Sequence, residues 1–186
     1  MTTKDRRHSI APLLLRGAIG STMVAHGVKH GRSIDGTAGW FESIGFREAR
    51  MQAWASAVVE VGAGAALLAG LGTPVAAAAV VGTMSVAARS VHVRNGFFIT
   101  SEGWEYVANL ATASVVLAEL GPGRWSADRW LGIDRRFAGL KGAAIAAGLG
   151  LGGAAAQLVA FHRPPDTSET LDESAEPVVN TADASV

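Results

Sequence analysis

From Gly142 to Phe161 the chain runs for twenty residues without a charged side chain, and Met51–Leu71 holds a single charge, Glu60. A helix of about 20 residues rises roughly 30 Å, the thickness of the hydrocarbon core of a bilayer. A soluble helix of that length carries a polar face at 3.6-residue spacing. Ala76–Val81 and Gly142–Ala156 have none and are apolar or small all the way round. Three further runs fit the same pattern. Ile10–Val28 is interrupted only by Arg16 and His26, Pro74–Ala88 carries no charge, and Trp104–Leu120 has only Glu105 and Glu119 near its ends. These runs predict an all-α polytopic membrane protein with five transmembrane helices.

Composition supports this reading. Charged residues make up 17% of the 186, against roughly 25% in an ordinary soluble domain. Sixteen basic residues balance sixteen acidic ones, which excludes a general nucleic-acid surface because that needs clustered Lys and Arg. The absence of cysteine rules out disulfide frameworks, thiol relays, thiolate zinc sites and cysteine-ligated iron–sulfur clusters. The basic start, residues 1–9, leads into an apolar run too long for a cleaved signal peptide and reads as preceding an uncleaved first span. The last segment, residues 163–186, has six acidic residues and is rich in Ser, Thr, Ala and Pro, so it is expected to be disordered.

Orientation follows from the basic residues beside the spans. Lys4, Arg6, Arg7, Arg124, Arg129, Arg135, Arg136 and Lys141 share the side of the N-terminus, eight in all, against six (Lys29, Arg32, Arg47, Arg50, Arg94 and Arg163) on the other. The positive-inside rule then places the N-terminus in the cytoplasm. Leu71-Gly72-Thr73-Pro74 marks a tight turn between two spans, with Gly72 ending one helix and Pro74 opening the next. Between the first two spans, the Gly-rich stretch around Trp40-Phe41 reads either as an interfacial anchor or as a short interfacial helix near Thr37–Ser43 that covers a site. Gly62, Ala66 and Gly70 in the second span, and Gly148 with Gly152 in the fifth, are spaced for close helix packing.

The polar residues gather at one set of helix ends: His26, Lys29 and His30, then Arg89, His92, Arg94 and Asn95, then Glu105, Tyr106 and Asn109. Glu60 joins them from roughly 13 Å inside its own helix. A charged carboxylate near mid-bilayer costs at least ~2.5 kcal/mol on insertion scales, so it must be paired, protonated or wet. Pairing with Arg89 or His26 would only fix helix register. Proton handling or ligand contact by Glu60 is the functional alternative. Metal ligation by the histidines lacks any spacing that would fix its geometry. A quinone ring, which needs partners for two carbonyl oxygens and apolar walls, would suit a pocket of His, Glu, Arg and Tyr rimmed by Trp40, Phe97, Phe98 and Trp104.

These same residues resemble the DoxX family of small bacterial membrane proteins, over most of residues 10–132. The likeness runs through His26-Gly27, Gly39-Trp40-Phe41…Ile44-Gly45-Phe46, Glu60…Gly62…Gly64…Leu67-Leu68-x-Gly70-Leu71, His92…Asn95-Gly96-Phe97-Phe98, Gly103-x-Glu105-Tyr106 and Gly121-Pro122-Gly123-Arg124…Ser126…Asp128. It implies a four-helix membrane core, here followed by a fifth helix over residues 133–162 on which the likeness is silent. It also implies association with redox enzymes, because the family includes subunits of thiosulfate:quinone oxidoreductases and a membrane partner joining a superoxide dismutase to a sulfurtransferase. His30 stands where the family usually has a basic residue, with Lys29 one place early.

Two functions follow as expectations. In the first, the chain is a quinone-linked membrane component of an oxidoreductase or oxidative-stress system in the bacterial plasma membrane. Glu60 would be the catalytic residue, with His26, Arg89, His92, Asn95, Glu105 and Tyr106 holding the cofactor and no bound metal. In the second, it is a non-catalytic scaffold that recruits soluble redox enzymes. Expected partners are the lipid bilayer, soluble or membrane redox enzymes and further copies of the chain in a homo-oligomer. Nucleic acid is excluded.

Overall fold

The computed structural model describes residues 9–164, so the basic start and nearly all of the acidic tail lie outside the described residues. Within them the chain is helical: α1 (Ala11–Arg32), α2 (Ile34–Ser43), α3 (Ala49–Ala69), α4 (Thr73–Ala87), α5 (Glu105–Leu120), α6 (Ala127–Trp130) and α7 (Leu140–Phe161). The five expected spans correspond to α1, α3, α4, α5 and α7. Three stretches, Ala49–Ala69, Thr73–Asn95 and Leu140–Phe161, are long and apolar enough to cross a membrane. α1 reaches 22 residues but carries Arg16, Lys29 and Arg32, and α5 has only 16 residues.

α1 packs chiefly on α3, while α4 packs on α7 and α5. The fifth long helix is therefore a wall of the bundle. The central core gathers Ile19, Met23, Ala63, Leu67, Ala76, Val80 and Leu117. Small residues allow the close contacts, but the contacting faces differ from those expected. On α3 the contact is made by Gly64 and Ala57, against Gly20 and Gly27 of α1. A Cβ on Gly64 would sit 2.6 Å from the Gly20 carbonyl oxygen, whereas one on Gly62 would meet nothing within 4 Å. On α7 the buried row is Gly142, Ala146, Gly150 and Ala154, and Gly148 and Gly152 are exposed. The four-residue spacing holds on α7, while the contacting pair on α3 is seven residues apart, two helical turns. Which of several small rows faces the neighbour depends on how each helix is rotated about its axis. Gly64→Val is expected to lower thermal stability in detergent by about 1–3 kcal/mol through overpacking, and Gly62→Val to leave it unchanged.

The ends predicted to share a side meet. At one end, a Cβ on Gly123 would contact Pro12 at 3.1 Å. At the other, Phe46 and His162 form an isolated antiparallel bridge, His162 Nε2 lies 3.1 Å from the Ile44 carbonyl oxygen, and Arg163 N donates to the Gly45 carbonyl. The tip of α7 is thus docked on the connection from α2 to α3. The Trp40-Phe41 stretch forms a real helix, α2, that begins somewhat earlier than expected.

Candidate functional site

Glu60 is 3% exposed and sits in the middle of α3. Its Oε1 accepts a hydrogen bond from Ser56 Oγ, one turn earlier, at 2.5 Å. His30 of α1 completes the group, with Nδ1 3.0 Å from Ser56 Oγ and 3.2 Å from Glu60 Oε1. Glu60 Oε2 is buried and has no hydrogen-bond partner among the described residues. Leaving a buried carboxylate oxygen unsatisfied costs free energy, so this atom points to a proton, a water or a ligand as its partner.

A cavity of ≈ 130 Å³ lies beside this group. α2 and the turn after it supply Trp40, Phe41 and Phe46, whose rings follow one another at centroid distances of 5.2 and 5.4 Å. α4 supplies Thr83, Val86 and Ala87, and its continuation supplies Ser90 and Val91. That continuation, Ala88–His92, is a π-helical turn. Such a turn inserts extra backbone into a helix and is frequent at functional sites. α7 closes the far wall through Gln157, which donates to Gln52 Oε1 of α3 at 2.8 Å. The lining is therefore aromatic on one side and carries amides and hydroxyls on the other.

The structure separates the residues that the sequence grouped together. Glu60 pairs with His30, not with His26 or Arg89, both of which are exposed. The physical reason is rotational phase. Gly20 and Gly27 of α1 touch α3, and His30 follows Gly27 by three residues on the same stripe, while His26 is turned away. His92, Asn95 and Glu105 belong to a loop lock at the mouth of α5. His92 Nδ1 lies 2.5 Å from the Glu102 carbonyl oxygen, with Asn95 Nδ2 at 3.5 Å from the same atom, and Glu105 Oε2 accepts from Ile99 N at 3.2 Å. Phe97 packs edge-on against Trp104 and T-shaped against Phe98 in this loop. None of these residues, nor the exposed Tyr106, lines the Glu60 cavity; of the four expected rim aromatics only Trp40 does.

One charged residue was missed altogether. Arg16, 3% exposed, donates to the carbonyl oxygens of Leu67 (2.7 Å) and Leu68 (2.5 Å) at the end of α3, and to those of Pro122 (3.0 Å) and Trp125 (2.6 Å) in the loop after α5. Those α3 carbonyls are the ones a helix end leaves unsatisfied, and a cation there also complements the helix dipole. Asp128 does the converse for α4, accepting from Gly72 N (2.7 Å), Thr73 N (3.0 Å) and Thr73 Oγ1 (3.0 Å). Its spacing gave a signal: Arg16, Gly20, Met23, Gly27 and His30 follow a 4-3-4-3 rhythm, the seam of one helix packed on another.

The fold and this site define a class: an all-α membrane domain with a buried carboxylate–imidazole pair beside a cavity. Residues 11–93 match the family model described as DoxX, so the chain carries a DoxX-family domain over that stretch. The match takes in α1–α4, the Glu60–His30 pair and His92, and ends before the rest of the loop lock, α5 and α7. No curated protein and no solved structure matches the chain.

Proposed function

We propose that this chain is the membrane component of a redox system and that the cavity beside Glu60 receives the head ring of a quinone. The observation that carries this reading is the unpartnered Glu60 Oε2 beside a cavity walled by aromatic rings. The fit is one of size and donor set. A cavity of about 150 Å³ is known to take a single benzene ring, and ≈ 130 Å³ is close to that. Trp40, Phe41 and Phe46 offer flat apolar surface, while a protonated Glu60 and the spare amide protons of the Gln52–Gln157 pair offer hydrogen bonds for two carbonyl oxygens. Gln52 and Gln157 take the places that the sequence had given to Arg89, His92 and Tyr106.

A bound quinone supplies the capacity to take up two electrons and two protons. Glu60 would hold a proton at Oε2 for a carbonyl oxygen of that group. Its other oxygen stays tied to Ser56 and His30, so the carboxyl group keeps one orientation. His30, with its side chain 21% exposed, stands between Glu60 and the helix ends and holds Oε1 in place. With no cysteine in the chain, the electrons come from a reductant or a partner redox enzyme. The chain sits in the bacterial plasma membrane with its N-terminus in the cytoplasm, as the eight-to-six distribution of basic residues favours.

Native mass spectrometry of the protein, gently extracted from its own membrane, tests this. A bound quinone is expected in the wild type and in His92→Ala, and it should be lost in Glu60→Gln and Gln157→Leu. Copurifying soluble enzymes with no quinone in any variant would favour the scaffold instead.

A further inference from the structure

We propose that the opposite end of the bundle is a binding site for an anionic phospholipid, with the headgroup phosphate held by Arg136 and Lys141 and part of an acyl chain lodged in a second cavity. This inference does not rest on the quinone reading. The cavity, ≈ 150 Å³, lies between the start of α4, the end of α5 and the start of α7, lined chiefly by Pro74, Val75, Pro122, Ile133, Phe137 and Ile145. Two carboxylates also border it, and both are already engaged. Asp128 accepts three hydrogen bonds from Gly72 and Thr73, and Asp134 is paired with Arg129 at 3.0 Å. No polar group of the wall is left to hold a polar guest, so the cavity suits hydrocarbon.

The cations at its rim have no acidic partner among the described residues. Lys141 Nζ lies 5.1 Å and Arg136 Cζ 5.7 Å from the ring of Phe137, the residue that forms the cavity wall. Both side chains are exposed, as is Arg135. Over residues 124–141 five basic side chains meet two acidic ones, a surplus of three positive charges. The surface beside them is apolar: Trp130 is 87% exposed and Leu140 83%. Exposed Trp and Leu beside unpaired cations fit the headgroup boundary of a bilayer, where the ring and the charge each find their own layer. An acidic protein or a nucleic acid would use the charge but would leave the apolar cavity and Trp130 without a partner. One molecule that satisfies both is a phospholipid with a net negative headgroup.

The test uses the purified full chain in detergent, titrated with phosphatidylglycerol or phosphatidylcholine of identical acyl chains, with retained lipid counted by native mass spectrometry. Wild type is expected to retain phosphatidylglycerol about tenfold better than phosphatidylcholine, in keeping with the attraction of two basic side chains. The double variant Arg136→Gln/Lys141→Gln should lose that preference, while Arg94→Gln, at the other end of the bundle, should keep it. Ile145→Trp, which fills the cavity, should weaken retention of both lipids; Val75→Phe fills it from α4 and replaces Ile145→Trp if that variant fails to fold. Equal retention of the two lipids by wild type would overturn the proposal. So would a preference that survives the double variant, or unchanged retention in a folded cavity-filling variant. Displacement of phosphatidylglycerol by glycerol 3-phosphate at similar concentrations would also overturn it, since that reports a phosphate site without an acyl seat.

Discussion

Arg16→Met is expected to remove about 3–5 kcal/mol of stability, the range found when one partner of a buried charged network is deleted. The native side chain makes four charge-assisted hydrogen bonds, and each such bond contributes about 1.5–3 kcal/mol. Methionine matches the volume but has no donor, so the carbonyls of Leu67, Leu68, Pro122 and Trp125 lose their partner together. Folded proteins have only about 5–15 kcal/mol in hand, so most of the variant should fail to accumulate or should melt far below wild type. Arg16→Lys should fall between them, because one ammonium cannot span carbonyls of a helix end and a separate loop as the guanidinium fork does. Thermal unfolding in detergent, with limited proteolysis in the 121–128 loop, checks both. A wild-type melting temperature for Arg16→Met would show that these bonds contribute nothing net.

Glu60→Gln should do the reverse. Glutamine keeps an acceptor for Ser56 and removes a carboxylate whose placement in a bilayer costs at least ~2.5 kcal/mol when charged, so stability should hold or rise. Activity should not. If Glu60 delivers a proton at the ring, quinone-dependent turnover of the native membranes should fall by about a hundredfold or more, the usual contribution of a positioned acid or base. Glu60→Ala should lose both, since it also enlarges the cavity. Measured at matched protein levels, full turnover in Glu60→Gln would leave the pair a structural one that sets helix register. Opposite signatures for Arg16 and Glu60, both buried charges on packed helices, separate a residue that holds the bundle from one that works inside it.

The helices, their approximate limits and the burial of Glu60 were legible in the sequence. A backbone in hydrocarbon must satisfy its own hydrogen bonds, so an apolar run of bilayer length has helix as its only open form. Gly72 and Pro74 likewise marked the α3–α4 turn, because glycine tolerates the left-handed backbone there and proline fixes the first turn of the next helix, although the residue that caps α3 is Gly70. The partners were not legible. His26, at the level of Glu60, was a reasonable choice by height along the helix, and it is turned outward by the same Gly20 and Gly27 contacts that bring His30 in. His92, Asn95 and Glu105 each bind the backbone of the 99–102 loop and take no part in the Glu60 cavity. Gln157 came from a helix on which the family resemblance was silent.

The sequence by itself thus determined that this chain is a helical membrane protein with a carboxylate buried in one span. Composition and run length act locally, through solvation of each segment. Only the tertiary structure decided what meets that carboxylate, because the meeting depends on the rotation of each helix about its axis. That rotation is set by a few backbone contacts between small residues far apart in the chain, Gly20 with Gly64 and Gly82 with Gly150 among them. A turn of one residue, 100° of helix, changes which side chain enters the cavity and leaves the hydropathy of the segment as it was.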